Sequence, residues 1–357
     1  MLIFKKYYDN FFEARLEVEE SQHEIRLDQF VSEYLRSHSR EQIKKKIKNK
    51  ECKVINRTCS NKSSSKLKHK DIVQIVIHRT SHEDEYWRGK LLSLEIPKTV
   101  FEDDELLVIS KPPFMSTHPT GKHLFNCATV YYENTLGLKT IHSIHRLDRE
   151  TSGVLLLGKN PNCANMLTTE FENTKVRKCY LWISKKGPNS KSSSFIAKER
   201  LYAPYDGLKR VIVEARDENS NEGKYAETKF HVISENAQFA LGLAFPKTGR
   251  THQIRVHAKE HGHPLIGDKL YLGGYSLFQR FKDNKYDNKD CDLVMAPRHF
   301  LHAFGLKIRY QKKFKTFYAD LPKDMLHFIE KYFDEASNVV LEKAQDISDE
   351  YFSQELI

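Results

Sequence analysis

The sequence predicts an α+β protein in which a small α/β module precedes one larger domain. The chain has 357 residues, which is too long for one average domain and indicates a large domain plus a small one. Over residues 99–322, strand-like and helix-like patterns mix without a regular period or a tandem repeat, which favours an α+β arrangement. We expect five segments: an N-terminal extension (1–23), the small module (24–78), a linker (79–98), the larger domain (99–322), and a C-terminal helix with a loosely held acidic tail (323–357).

The charge balance of the chain favours an anionic partner. Lys and Arg number 58 against 48 Asp and Glu, so the formal net charge is +10 at pH 7. A basic surface suits a polyanion, most commonly nucleic acid, although such charge also serves ordinary solubility. Hydrophobic residues make up 39% of the chain, with 21 Phe and 17 Tyr, so a core can form and wholesale disorder is not expected.

The cysteines and the apolar segments indicate the compartment. Six cysteines are scattered without a C-x-x-C spacing, which argues against a zinc ribbon or a thioredoxin-type pair and fits a reducing environment. Nowhere does an apolar run approach the roughly 20 residues that span a bilayer, and charges follow the first residues too early for a signal peptide. We therefore expect a soluble cytoplasmic monomer with no membrane partner.

Residues 24–78 carry the helix and strand patterns of the small module. Apolar residues between Ile25 and Leu35 recur at helical spacing, and Ser39 with Gln42 three positions later predicts a capped second helix over about 40–49. A strand is expected from Cys52, with Asn56 taking a turn position that needs positive φ. Residues 71–77 alternate and predict a closing strand.

The second helix of this module is strongly basic. A helix N-terminus ringed by Lys and Arg suits phosphate binding, although most lysine runs are only a solvated face. The pattern nevertheless resembles the S4 RNA-binding module, on Arg26, Leu27, Asp28, Phe30, Ser39, Arg40, Ile43, Ile47, Val54 and Asp71. This resemblance implies RNA contacts from five residues: Arg26, Ser39, Arg40, Lys44 and Lys45.

The most informative stretch of the larger domain places Asp148 between Arg146 and Arg149. The apolar run V-L-L-L-G at 154–158 follows and predicts a buried strand, so Asp148 lies on a loop that enters the core. Flanking arginines would lower its pKa and keep it ionised, and an ionised carboxylate can act as nucleophile or base. A lone Asp–Arg pair is more often a structural ion pair.

The string H-R-L-D-R-E-T-S-G at 145–153 resembles the catalytic motif of the RluA-type pseudouridine synthases. Further stretches agree in the order of that family, from an entry strand and K-P loop to a final L-H-A: residues 102–112 with His118-Pro119, 176–180, 246–257 with 262–268 and Tyr271, and 301–303. The resemblance implies the pseudouridine synthase fold, with a central bent, mostly antiparallel sheet crossed by a cleft. It also implies isomerisation of uridine to pseudouridine in RNA, a reaction that needs no cofactor and no metal.

The resemblance implies a role for each matched residue. Asp148 is the catalytic carboxylate, at the cleft floor, and Arg250 pairs with it within hydrogen-bonding distance. Tyr180 packs on the extruded uracil and is a candidate for proton removal at C5. The remaining expected substrate contacts are Arg146, which fills the stack when the base leaves, Ile254, on the floor of the base pocket, and His145. This chemistry needs an extruded base, an aromatic side chain on which that base stacks, and a guanidinium inserted in its place.

Two other functions compete with this one. Four histidines, His252, His257, His261 and His263, invite a metal hypothesis, but their spacing favours structural hydrogen bonds, and a zinc deaminase would need H-x-E and P-C-x-x-C. An inactive RNA-binding or RNA-folding factor of the same fold is the alternative. The RNA itself stays open: H-P-T-G-K at 118–122 resembles the branch acting on transfer RNA, whereas an S4 module is common in the ribosomal branch.

Overall fold

The computed structural model describes residues 1–35, 38–120, 123–191 and 194–354, so Gly121 and Lys122 of the H-P-T-G-K loop lie outside it. The chain divides into two compact units. The first unit comprises Met1–Asp84 and His118–Lys139, and the second comprises Glu85–Thr117 and Thr140–Ile357. Among the residues described, no helix is both long enough and apolar enough to cross a bilayer.

The first unit is a four-stranded antiparallel sheet with helices. Its elements are β1 (Leu2–Tyr7), β2 (Phe11–Glu17), α1 (Leu27–Tyr34), α2 (Arg40–Lys48), β3 (Cys52–Val54), β4 (Ile72–His78) and α3 (Ala128–Leu136). The strand order is β1-β2-β4-β3. The unit differs in extent from the predicted module, because it includes β1 and β2, from the segment 1–23, and residues 118–139. The apolar faces of α1 and α2 bury Phe30 and Ile43 in one core with the sheet residue Val73.

Two local predictions for this unit had different outcomes. The capped start of α2 is confirmed: Gln42 donates its backbone N–H to Ser39 Oγ at 3.3 Å, and Ser39 donates its own to Gln42 Oε1 at 2.8 Å. The turn prediction for Asn56 was wrong. Its side chain ties the loop to β4, accepting from the Ile72 N–H at 2.8 Å, whereas Lys50 adopts the left-handed conformation, with φ 62°.

The second unit is built on a large sheet. Its strands are β5 (Tyr86–Trp87), β6 (Lys90–Leu91), β7 (Lys98–Glu102), β8 (Leu106–Lys111), β9 (His142–Ser143), β10 (Ser152–Gly158), β11 (Arg177–Lys185), β12 (Phe195–Ala197), β13 (Arg200–Tyr202), β14 (Glu214–Arg216), β15 (Thr228–Glu235), β16 (Phe239–Pro246), β17 (Leu301–Tyr310) and β18 (Lys313–Tyr318). Its helices are α4 (Pro161–Glu172), α5 (Gln253–Glu260), α6 (Gly274–Lys282), α7 (Asn288–Val294), α8 (Lys323–Tyr332) and α9 (Ser337–Ser353). The main sheet runs β12-β15-β16-β11-β17-β10-β8-β7, with β18 on β17 and β9 on β10.

This sheet is mostly antiparallel, as predicted. Among the pairings described in it, β10 with β17 is the parallel one, and it spans only Ser152 opposite His302 and Gly153 opposite Ala303. Gly153 has φ 111°, and a Cβ built there would lie 2.2 Å from the Ala303 carbonyl oxygen. The close approach of β10 to β17 therefore requires glycine at this position.

Helices cover both faces of the sheet beside β11. Because side chains alternate along a strand, Leu181 packs with α8 and α9 on one face while Trp182 packs with α5 on the other. The expectation of a loosely held tail was wrong for the described part, because α9 buries Val340, Ala344 and Phe352 against this sheet. Residues 355–357 of the predicted tail lie outside the described chain.

Candidate active site

Asp148 lies on the loop between β9 and β10, as the sequence predicted. The loop turns back at its end, where Thr151 donates its backbone N–H to the Asp148 carbonyl at 3.0 Å. The side chain of Asp148 is 33% exposed, so it is neither sealed in the core nor free in solvent. A reactive carboxylate at the mouth of a core strand is held in a nearly fixed position.

Side chains from other segments hold the loop that carries Asp148. Lys111, which is fully buried, donates from Nζ to the carbonyls of Met115 (2.8 Å) and Arg149 (3.2 Å). Thr117 Oγ1 accepts the Leu147 N–H at 3.2 Å and lies 3.3 Å from the Leu147 carbonyl oxygen. The K-P segment thus supports the loop on both sides of Asp148.

His145 supports the same loop from its other end. Its Nε2 accepts the Leu156 N–H at 3.1 Å, and its ring stacks on Phe171 at 4.5 Å between centroids. Burial, with the nearby charge of Lys178, lowers the pKa of His145 to about 3, so the ring is neutral and can accept at this nitrogen. His145, which was predicted to contact the substrate, thus makes contacts within the protein that support the loop. Arg146, the next residue, is exposed.

The arginine that contacts the Asp148 carboxylate is Arg255. Its Nη1 lies 3.0 Å from Asp148 Oδ2, while its Nε and Nη2 form a two-pronged pair with Asp268 at 2.6 and 2.9 Å. Asp268 is fully buried and also accepts the backbone N–H groups of Leu270 and Tyr271 at 3.1 and 3.0 Å. One guanidinium held by a buried carboxylate thus presents its remaining edge to Asp148.

The predicted pairing of Arg250 with Asp148 was wrong. Arg250 is exposed, and its Nε donates to the Tyr225 carbonyl at 3.0 Å. It lies before α5, which begins only at Gln253, after His252 has taken a left-handed conformation with φ 57°. Arg255 lies within the helix, on its buried side.

The electrostatics of the site favour an ionised Asp148. Burial acts to raise the pKa of Asp148, but His252, which is positive at the acid pH where Asp148 titrates, and Arg255 outweigh burial and hold that pKa below its usual range. Burial, reinforced by the charge of Arg255, lowers the pKa of His252 itself to about 4. The imidazole is therefore neutral at pH 7, and Arg255 supplies the charge that keeps Asp148 ionised.

Tyr180 and Ile254 lie together beside this site. Ile254, at the start of α5, is buried in the apolar cluster against which Tyr180 of β11 packs. Burial, and secondarily the charge of Asp148, raises the pKa of Tyr180, so its hydroxyl is protonated in the resting protein. An apolar surface and a phenol thus lie within the electrostatic reach of the carboxylate.

The structure adds a buried cluster that the sequence argument did not single out. Glu150 accepts from Lys269 Nζ at 2.6 Å and from the His299 N–H at 3.0 Å, and His299 Nε2 meets Thr151 Oγ1 at 2.8 Å. Burial acts to raise the pKa of Glu150, and the charge of Lys269 nevertheless holds it well below its usual range. The sequence did contain a signal for this cluster, namely the charged residue Lys269 directly after Asp268 in the G-D block.

The four histidines weighed as metal ligands make hydrogen bonds within the protein. His252 Nδ1 meets the Tyr271 hydroxyl at 2.8 Å, and His257 Nδ1 meets Thr228 Oγ1 at 3.0 Å. His261 meets a Glu199 carboxylate oxygen at 2.9 Å, and His263 meets Ser184 Oγ at 3.1 Å. These are the structural hydrogen bonds that their spacing predicted.

The predicted RNA-contacting residues of the first unit lie on and beside α2. Ser39 caps the helix, and Arg40, Lys44 and Lys45 are exposed along it. Arg26, at the start of α1, pairs with Asp28 at 2.7 Å and keeps 47% of its side chain exposed. The four basic residues among them present cationic groups to solvent within the first unit.

Comparison with known proteins identifies the family. A family model described as RNA pseudouridylate synthase matches residues 105–260. A mitochondrial tRNA pseudouridine(32) synthase of Saccharomyces cerevisiae is 31% identical over 245 residues, which are 69% of this chain and 50% of that protein. The ribosomal large subunit pseudouridine synthase D of Blochmanniella floridana is 30% identical over 315 residues, 85% of this chain and 93% of that protein.

A solved structure agrees on the fold. The human RNA pseudouridylate synthase domain containing 4 matches with a TM-score of 0.52 at 23% identity, over 66% of this chain and 92% of that one. The family model and the matched relatives define an isomerase that acts on RNA. The chain belongs to the RNA pseudouridine synthases, in their RluA-type family.

Proposed function

We propose that this chain converts chosen uridines of a structured RNA, ribosomal or transfer, into pseudouridine with Asp148 as its catalytic carboxylate. The observation that carries the proposal is the ion pair of a part-exposed Asp148 with Arg255, 3.0 Å from its Oδ2. Arg255 is itself fixed by the buried Asp268. A charge fixed in this way needs no rearrangement when the reaction begins.

The reaction explains why an ionised carboxylate is needed. The bond between the base nitrogen N1 and the sugar C1′ breaks, a bond between C5 and C1′ forms, C5 loses a proton and N1 gains one. Electrons and atoms balance within one nucleotide. Asp148 can either attack at C1′ or add to the ring at C6, and both routes start from the anion that Arg255 stabilises.

The base must leave its helix to reach Asp148, at a cost of about a few kcal/mol. We assign the apolar wall of its pocket to Tyr180 and Ile254, which lie in one cluster. Arg146 is exposed on the same loop as Asp148, where its guanidinium can fill the vacated stack. Because the Tyr180 hydroxyl is protonated at rest, its proposed part in removing the C5 proton requires it to lose its own proton during the reaction.

Two RNA classes remain candidates for the substrate. The yeast relative is named for tRNA and the Blochmanniella relative for the ribosomal large subunit. We propose that the exposed cations of α2 hold the phosphate backbone of either RNA, in the manner of an S4 module. Action on such RNA in the cytoplasm, by a monomer, remains part of the proposal.

Two experiments test this function. Pseudouridines are mapped in total RNA from cells with and without the gene, and a site that vanishes names the RNA. Purified wild-type protein should restore that site in the deficient RNA, whereas Asp148→Ala should bind the RNA and leave the uridine unchanged. Restoration by Asp148→Ala, or a map without any vanished site, would leave the inactive RNA-binding factor as the better account.

A further inference from the structure

Three aromatic rings stack beside the catalytic loop in the second unit. The rings of Trp87 and Phe281 lie 6.2 Å apart at 14°, and those of Phe281 and Tyr286 lie 4.4 Å apart at 13°. We call these three stacked rings the aromatic platform.

A cavity opens at the end of the aromatic platform. It measures about 280 Å³ and is lined by Tyr86, Gly89, Asn284 and Tyr286. Tyr86 is 39% exposed, and a Cβ built on Gly89 would meet nothing within 4 Å. The cavity is open to solvent and smaller than the roughly 300 Å³ at which pockets that enclose small molecules begin, so a flat ring lying against its aromatic wall is the group that we consider.

Both sides of the cavity are tied to the catalytic loop. On one side, the carboxylate of Glu85, the residue before Tyr86, accepts from the Arg149 guanidinium. On the other side, Lys269 Nζ lies 5.7 Å from the Phe281 ring centroid and 2.6 Å from Glu150 Oε1. The cavity is therefore fixed to the two residues that follow Asp148.

We propose that this cavity binds an unpaired nucleotide of the substrate RNA other than the target uridine. The inference rests on the proposed function, because an enzyme that extrudes a uridine from structured RNA meets loops and bulges, in which other bases are also unstacked. A base between Tyr86 and Tyr286 would regain stacking on aromatic faces, as single-stranded RNA does on many proteins. The Asn284 amide, with donors and an acceptor, can meet the edge of such a base.

The charges around the cavity fit a site that works mainly by stacking. Arg88 lies 5.7 Å over the Trp87 ring and pairs with Asp292 at 2.6 Å, so much of its charge is offset. Asp283 and Lys285 flank Asn284 in the chain with opposite signs. Stacking is tolerant of base identity, so the pocket should add affinity for the RNA with little choice among bases.

The test compares Tyr86→Ala and Tyr286→Ala with two controls. Tyr286→Phe keeps the ring, and Phe314→Ala removes an exposed ring on β18, which is 54% exposed against 39% for Tyr86. The substrate is total RNA from cells lacking the gene, and the apparent KM is measured for the pseudouridine that the deletion abolishes. The two tyrosine-to-alanine variants should raise KM by about 5- to 150-fold with kcat nearly unchanged, and the controls should stay within about twofold of wild type.

The outcomes separate this proposal from the proposed function. If Asp148→Ala abolishes product while Tyr86→Ala and Tyr286→Ala keep the wild-type KM, the aromatic platform only packs within the fold and the nucleotide pocket is refuted. If Asp148→Ala still forms product, the proposed function fails first. Thermal melting checks the fold of each variant, and if Tyr286→Ala is unfolded, Tyr86→Ala decides, since Tyr86 lies on the exposed β5. Photocrosslinking of 5-bromouridine-substituted RNA to Tyr86 or Tyr286 in wild type gives the positive evidence.

Discussion

Among single residues, Arg255 has the largest influence on the chemistry proposed for the site. Its guanidinium contacts two carboxylates, Asp148 and Asp268, and their charges outweigh burial and raise the pKa of Arg255 above its ordinary range. It stays charged at any pH at which the protein is folded. His252, only 3.9 Å from Asp148 Oδ2, is neutral above about pH 4 and cannot replace that charge.

This predicts how activity depends on pH. The pKa of Asp148 is depressed in the folded protein. Titration of Asp148 should therefore leave kcat/KM unchanged from about pH 8 down to pH 5. Arg255→Gln removes the opposing charge and leaves burial, which raises the pKa of Asp148. We expect kcat to fall on the order of 10²-fold and the acid limb of the profile to move to higher pH.

Arg250→Gln is the matched control for that experiment, because Arg250 was the partner predicted from sequence and proves to be exposed. It should keep the acid limb of the wild-type profile, with any change confined to KM. An acid limb that moves for Arg250→Gln and stays for Arg255→Gln would reverse the assignment. Measuring kcat/KM across pH for both variants decides between the two arginines.

The difference between these arginines shows what a motif cannot supply. Both lie within the G-R-T-H-Q-I-R-V-H string, and residue types alone make either a suitable partner for a carboxylate. The start of α5 after the left-handed His252 decides which one points inward, and that depends on packing against β15 and β16. By contrast, the cap of α2 was predictable, because Ser39 and Gln42 satisfy each other locally.

Among the elements, the segment that precedes α6 holds the loop that carries Asp148 at two points. Asp268 fixes Arg255, and Lys269, the next residue, fixes Glu150 at 2.6 Å. Gly267 makes this segment possible, with φ 79° and a position where a Cβ would lie 1.6 Å from the Arg298 carbonyl oxygen. Two consecutive side chains thus hold Asp148 indirectly, one through its ionic partner and one through its own loop.

We predict that Lys269→Met lowers kcat more than it changes KM. The variant leaves the half-buried Glu150 carboxylate without its nearest charge and so loosens the loop that carries Asp148. A misplacement of about 1 Å can cost on the order of 10²-fold in rate. Lys259→Met, at an exposed lysine on α5, is the control and should leave kcat unchanged. Equal kcat values for the two variants, measured as single-turnover product formation, would contradict a positioning role for Lys269.

The junction of β10 with β17 gives a prediction about stability. Gly153→Ala should lower the free energy of unfolding by more than about 2 kcal/mol, because it adds a steric clash with Ala303 to the strain of its backbone. Gly207 also has positive φ, 64°, but its Cβ position is empty, so Gly207→Ala should cost only about 1 kcal/mol. Urea denaturation of both variants measures the difference. Similar losses would show that the backbone of β10 can yield.

The element that sequence analysis misjudged most was α9. Its acidic composition suggested a loose tail, yet Val340, Ala344, Ser348 and Phe352 are buried at a spacing of four residues. That spacing was legible in the sequence as one face of a helix. Whether such a narrow face finds a partner depends on the sheet surface offered by β11 and β15, which local patterns do not reveal.

Considering the whole molecule, the net charge of +10 raises the question of which cations meet RNA. Exposed lysines are spread over the chain, and most would act only through the general field. Arg40, Lys44 and Lys45 differ because they lie together on α2. If they contact phosphates, each contact releases counterions, and the dependence of affinity on salt counts those contacts.

The triple variant Arg40→Ala, Lys44→Ala, Lys45→Ala should therefore bind RNA more weakly and with a shallower salt dependence. The slope of log affinity against log salt should become less negative by about 2 to 3, at roughly 0.7 to 0.9 per lost phosphate contact. Product formation from RNA already bound should be unchanged, because these residues belong to the first unit and Asp148 to the second. The control replaces exposed cations of the second unit, Lys229, Lys312 and Lys313, with the same loss of charge. Equal slopes for the two triple variants would mean that α2 contributes only general charge, and the proposal of an S4-like RNA contact would then be withdrawn.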